Sequence, residues 1–346
     1  MTATIGCART TQVVEMDPLE LRAMKTPEGV RVEVMDPEAL FLRGVKEFEA
    51  GRPDEAVRLF TLVIERFPAS RFARPARYNR GVAYLQWSRP ADAARDFEVY
   101  LQQATGDQDL ADAWQKLGQA RTEAGEWEAA FDALHRRLAM QPLALWQEVE
   151  VRARLSLVLR MLGRTEEARD EVARVLDLHS RNLTLPEMDG NYFVAMASFQ
   201  GAEVWHDLFA RIRFVLPVER MEKDLVDKAT LFLKAQSEYL RTIRLRNTYW
   251  GVKAGVAVGR LYEEFFDHIL QAEVPADLAP DEVAIYLDEL KRRARPLLAK
   301  AVDAYERNLA LAKMYGARDD WFGDTKDRIA RLRKVLEEIP PAPPEP

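Results

Sequence analysis

The stretch AWQKLGQARTEAGEWEAAFDALHRRLAMQP, residues 113–142, decides the fold. Two amphipathic segments flank Gly125, and each special residue has a mechanical reason to be where it is. The small Gly118 and Ala130 let two antiparallel helices approach closely, while Trp114 and Leu117 fill the space between them. Gly125 supplies the turn, and Pro142 stops the second helix because its ring cannot continue one.

Working outward, the same columns return. Ala56, Ala93, Ala130 and Ala168 are spaced by 37, 37 and 38 residues, and Phe60, Phe97, Leu134 and Val172 follow at one constant offset. Upstream, Gly44, Gly81 and Gly118 share a third column, with Ser156 in the fourth unit. Several columns holding one period weigh against the alternative, a chance run of alanine-rich amphipathic helices, and point to an array of helix pairs in the middle of the chain. Ser88 stands where the other units have a turn glycine, and the fourth unit has Ser180 in place of the closing proline.

Trp114, Leu117, Gly118, Ala130 and Pro142 fall on the W-x2-L-G…A…P pattern, and the array resembles the tetratricopeptide repeat. The resemblance covers residues 37–180 as four units. It implies an all-α fold, a right-handed superhelix of antiparallel helix pairs stabilised by stacking of neighbours, followed by divergent C-terminal helices. It also implies a protein that binds other proteins and is not an enzyme. The period, near 37, exceeds the usual 34.

Composition agrees. Apolar residues at 48% and charged residues at 31% describe a well-cored helical chain, and the net charge of −6 over 346 residues gives no global field for nucleic acid. No apolar run is long enough to span a bilayer. The single cysteine excludes internal disulfides and any zinc site built from several thiolates. Cys7 sits in MTATIGCARTTQ, where a preceding glycine and following small residues resemble the junction of a bacterial lipoprotein signal with its mature chain. The basic and apolar stretches that such a signal requires are missing before it, and Thr4 replaces the usual leucine. Cys7 is therefore expected either to carry a lipid anchor or to be an ordinary residue of a loose terminus.

Four regions follow. Residues 1–36 read as an extended tether, with GVRVEV as a short strand, and residues 37–180 as the four repeats. Asp36-Pro37 is a strong start signal. The periodicity predicts helices over 37–50, 53–66, 74–87, 90–103, 109–124, 127–140, 145–162 and 165–178. Residues 181–338 form a divergent helical region: a fifth pair around Gly201, a sixth over 219–246 and 250–271, a long helix over 281–315 with a bend near Pro296, and a capping helix over 320–338. Residues 339–346 are a proline-rich tail.

No catalytic constellation emerges. The four histidines, His135, His179, His206 and His268, are scattered. Only Glu264 and His268 share a helical face, and two ligands do not make a metal site. No cofactor is expected.

The candidates are surfaces. In repeats of this kind the first helix of each pair lines the concave face, which points to Phe41, Val45 and Phe48, then Tyr78, Asn79 and Val82, then Lys116 and Gln119, then Arg154 and Arg160. Such a groove suits an extended or helical peptide, and the alternative for the apolar members is packing against the neighbouring unit. The lysine and asparagine set with which chaperone-binding relatives clamp a terminal carboxylate is not matched. A second surface, residues 239–262, holds Arg241, Arg244, Arg246, Lys253 and Arg260 with no acidic residue, and reads as a solvated face, a protein contact or, least, a nucleic-acid contact.

Residues 40–105 resemble the repeat regions of bacterial envelope proteins such as outer-membrane barrel-assembly lipoproteins and periplasmic cell-division coordinators. GRLYEEFFDHIL, AEVPADLAP and ARPLLAKAVDAYERNLALA resemble repeat proteins of gliding deltaproteobacteria, including motility components of the envelope. With Cys7, this implies a scaffold facing the periplasm at the outer membrane, its partners being subunits of an envelope complex. The alternative is a cytoplasmic peptide-binding or regulatory module without an anchor.

Overall fold

The computed structural model describes residues 19–26, 29–140, 142–276, 278–318 and 322–341. An antiparallel hairpin, β1 (Glu20–Thr26) and β2 (Gly29–Met35), precedes thirteen described α-helices. The segment GVRVEV is thus strand β2, and the expected tether holds a hairpin whose last residue, Met35, is buried against the first helices. The chain divides into two compact units, one ending at Arg137 and the other beginning at Leu138.

The first unit contains three helix pairs: α1 (Pro37–Glu49) with α2 (Pro53–Arg66), α3 (Ala73–Gln86) with α4 (Pro90–Gln103), and α5 (Asp107–Glu123) with α6 (Trp127–Ala139). Each expected helix is present within two residues of its reading. Asp36 caps α1 by accepting from the Glu38 amide at 3.1 Å, and prolines occupy the first turns of α1, α2 and α4, where no amide is needed. The turns follow one template. Gly51, Ser88 and Gly125 take positive φ of 72°, 55° and 74°. The next residue's amide then reaches back to close the helix end, Arg52 to Glu47 at 3.0 Å, Arg89 to Tyr84 at 2.8 Å and Glu126 to Arg121 at 3.0 Å. Ser88 adopts the left-handed conformation without being glycine, at a cost of about 1 kcal/mol.

The alanine column is the seam of each pair. Ala56, Ala93, Ala130 and, in the second unit, Ala168 are all 0% exposed. Opposite them the glycine column admits the large residue of the partner helix. A Cβ at Gly44 would lie 2.6 Å from the Phe60 ring, and one at Gly81 would lie 2.9 Å from Phe97.

The second unit contains α7 (Leu145–Met161) with α8 (Thr165–Arg181), α9 (Tyr192–Arg211) with α10 (Val218–Arg244), α11 (Thr248–Leu270) with α12 (Pro280–Met314), and the final α13 (Thr325–Glu338). Gly163 repeats the turn, with φ 74°. The fifth pair expected around Gly201 is instead the single helix α9. Gly201 is not a turn residue: it lies mid-helix where Val172 of α8 approaches, and a Cβ there would lie 3.0 Å from Val172 Cγ1. The helix α12 runs in one piece through Pro296.

Buried polar groups tie this unit together. His206 Nδ1 and the Tyr239 hydroxyl are 2.8 Å apart, and Tyr239 donates to Glu203 at 2.6 Å. Glu203 also accepts from Arg260 at 2.8 Å, while His206 Nε2 meets Glu264 at 2.8 Å. One network thereby joins α9, α10 and α11. Farther along α11, Glu263 accepts from the Tyr305 hydroxyl at 3.0 Å and from Arg331 of α13 at 2.5 Å. Lys228, wholly buried, donates to the Phe209 and Ile212 carbonyls at 2.8 Å each, closing the carboxyl end of α9.

Candidate interaction surfaces

A pair of neighbouring second helices, with the first helix between them as a floor, leaves a groove. Three such grooves hold cavities among the described residues, one in the first unit and two in the second. In the first unit α4 and α6 wall a cavity of about 510 Å³ over α5. In the second, α8 and α10 wall one of about 500 Å³ over α9, and α10 and α12 wall one of about 340 Å³ over α11.

Each floor carries an aromatic ring, and each ring is met by cations from the walls. Arg136 lies 4.8 Å from the Trp114 ring centroid. Trp205 is met by Arg169 at 4.7 Å and Lys234 at 4.6 Å, one from each wall. Lys300 lies 5.8 Å from Tyr262, whose hydroxyl accepts from Gln236 at 2.7 Å. A cation held over an aromatic face is attracted by the ring quadrupole yet keeps its polar edge for a partner. These grooves therefore offer apolar floor, flat ring and charge together, the composition of protein-binding hot spots.

Of the residues expected on the concave face, Arg154 is buried and the others are half-buried, with contacts inside the fold. Phe41 packs on Phe60 and Phe72 at centroid distances of 5.8 and 5.5 Å, and Val45 and Phe48 join the same core. Tyr78 packs on Phe97 and Tyr100 at 5.6 and 5.2 Å, burial pushes its hydroxyl up to about 12, and Val82 packs beside it. Asn79 is half-buried on α3. Lys116 donates to Gln119 at 3.3 Å and Gln119 to Glu123 at 3.0 Å, a polar ladder along α5. Arg154 is buried and donates to Glu150 at 3.0 Å, with its guanidinium 5.3 Å from the Phe193 ring. Arg160 reaches from α7 to α9, donating to Gln200 and Asp207 at 2.9 Å each.

The arginines and lysine of 239–262 do not form one surface. Arg241 pairs with Glu238 at 3.5 Å and lines the groove over α9. Arg260 is held in the Glu203 network, and Lys253 lies 5.0 Å from the Tyr249 ring. Arg244 is exposed at the end of α10, and Arg246, in the left-handed conformation with φ 60°, lines a cavity at the start of α11. The sequence places these residues close together, but the helical turn distributes them over different faces. Trp205, Tyr262 and Lys300 went unnoticed because a groove made by three helices leaves no contiguous motif.

No group of three or more potential metal ligands occurs among the described residues. Glu264 meets His206, and His268 stacks on Phe209 at 5.9 Å. Burial pushes the His268 imidazole down to about 4, with the neighbouring Lys228 and Arg213 charges acting the same way. Burial likewise brings the Lys228 ammonium down to about 8. The His206–Tyr239–Glu203 chain is buried and lines none of the cavities above. No described helix is long and apolar enough to cross a membrane. Cys7 and residues 342–346 of the tail lie outside the described residues.

Comparison with known proteins agrees with the repeat. Residues 38–70 match the tetratricopeptide repeat family. No curated protein matches the chain. Among solved structures the chain is similar to MamA of AMB-1, with 20% identity, 58% of this chain and 90% of that one covered, and a TM-score of 0.39. It is similar to a kinesin light chain-like repeat protein of Podospora anserina, with 14% identity, 59% and 99% covered, and a TM-score of 0.42. It is also similar to the C-terminal part of a repeat-containing protein of Cytophaga hutchinsonii, with 10% identity, 86% and 97% covered, and a TM-score of 0.46.

Proposed function

We propose that this chain is a non-enzymatic scaffold that binds other proteins through the grooves between successive second helices. The observation that carries this reading is the recurrence of one arrangement, an aromatic floor met by wall cations, at Trp114, Trp205 and Tyr262. Ordinary core packing does not require cations over each ring, and three such grooves provide several contact points for one partner or for several. Affinity capture from native cells by wild-type protein and by a Trp114→Ala, Trp205→Ala variant tests it. Partners are expected to be depleted in the variant, while equal recovery would count against the grooves.

The finer reading is a component of a bacterial envelope complex, facing the periplasm at the outer membrane and anchored through a lipid on Cys7. Its support is the Ile5-Gly6-Cys7-Ala8 sequence together with the resemblance of residues 40–105 to envelope repeat proteins. Metabolic labelling with a fatty acid is expected to mark the native protein and not Cys7→Ser. An unlabelled protein recovered with cytosolic partners would favour the cytoplasmic module instead.

A further inference from the structure

The groove over α11 is longer than the other two. Its cavity continues into a second one of about 480 Å³ at the start of α11, the two sharing Ile243, Asn308 and Leu311. From Gly251 to Tyr262 the floor extends about 16 Å, three helical turns. Leu240 on one wall and Leu311 on the other remain 40% and 44% exposed, and Gly251 leaves the floor open, since a Cβ there would meet nothing within 4 Å.

Charge distinguishes this groove from its counterparts. The linings of the other two balance their signs, Glu98 and Asp132 against Arg121 and Arg136 in one and Asp177 and Glu238 against Arg169 and Arg241 in the other. Here the charged lining is Arg246 at one end and Lys300, Arg307 and Asp303 toward the other, and the single carboxylate already accepts from Arg307 at 2.7 Å. Both ends thus carry positive charge. The walls and floor are helices whose backbone groups are satisfied internally, so the groove has no free edge for an extended strand. It has the three-sided shape into which a helix lays an apolar face.

We propose that the groove formed by α10, α11 and α12 receives an amphipathic helix of a partner protein, its apolar stripe on Leu240, Leu311 and the Gly251 floor and its flanking carboxylates on Arg246 and Lys300. This rests on the scaffold function above and names the chemistry of one partner.

The test uses the full chain and a fluorescent peptide of about fifteen residues, long enough to form a helix once seated, with leucines at i, i+3, i+4 and i+7 and glutamates elsewhere. Control peptides carry lysine for glutamate, or alanine for leucine. The acidic apolar peptide is expected to bind, at least tenfold more tightly than either control, and to weaken as salt is raised. Gly251→Phe fills the floor and is expected to abolish binding with an unchanged circular dichroism spectrum. The exposed double variant Arg246→Glu, Lys300→Glu is expected to reverse the preference toward the lysine peptide and serves if Gly251→Phe fails to fold. Equal binding of acidic and basic peptides, no binding to wild type, or full binding to folded Gly251→Phe would overturn the proposal. Partners captured through Trp114 and Trp205 would still support the scaffold in that event.

Discussion

Gly118 and Leu134 meet so closely that a Cβ on the glycine would lie 2.5 Å from Leu134 Cδ2. This contact is the physical content of the repeat: one helix gives up its side chain so that the other can bury a large one in its place. Gly44 with Phe60 and Gly81 with Phe97 are the same contact in other units. The pairing makes the period visible in the sequence, because both members of each pair are fixed by one steric requirement.

Identical substitutions should therefore have opposite signs at two glycines. Gly81→Ala forces the Phe97 ring to move and should destabilise by about 1–3 kcal/mol. Gly251→Ala meets open space within a helix and should stabilise by about 0.5–1 kcal/mol. Urea unfolding of the two variants checks both, and an equal sign for the pair would refute the packing account.

Ser88 pays for a left-handed turn that its counterparts make with glycine. Ser88→Gly should stabilise by about 1 kcal/mol, and Gly125→Ala should destabilise by a similar amount. The midpoint of thermal unfolding should move in opposite directions for the two.

Lys228 holds the last carbonyls of α9, and Lys228→Met removes both hydrogen bonds while keeping most of the apolar stem. A loss of about 1.5–3 kcal/mol is expected at neutral pH. Tyr239→Phe, which deletes the hydroxyl between His206 and Glu203, should cost about 1–3 kcal/mol. Chemical denaturation of each variant reads the loss directly.

His268 gives a pH dependence of known sign. Its imidazole is pushed down to about 4 in the folded chain, against about 6.5 in an unfolded one. Between these values the unfolded state binds the proton first, so this residue's contribution is constant above about pH 6.5 and is lost as the pH falls toward 4. His268→Gln should flatten that part of the stability profile, and an unchanged slope between the two proteins would contradict the burial argument.

The sequence was informative where one residue type serves one steric purpose. The Ala56, Ala93, Ala130 and Ala168 column, the turn glycines and the proline starts placed eight helices within three residues. It misled at Gly201, where the same residue type admits a neighbouring helix instead of a turn. Phe41 and Tyr78 are half-buried against their own repeats, and Arg154 and Arg160 found acceptors on their own and a neighbouring helix that no local spacing reveals. The grooves depend on three helices brought together by folding, so their rings and cations are scattered from Trp114 to Lys300 in the chain.

The most direct test of the scaffold is site-specific photo-crosslinking in native cells. A photoreactive phenylalanine placed singly at Gln102, Ala173 and Leu311 samples the three grooves, and one placed at Ala330, exposed on α13 and lining none of them, serves as the control. The account predicts discrete protein adducts from groove positions and none from Ala330. Adducts that arise equally from all four positions, or from Ala330 alone, would contradict it.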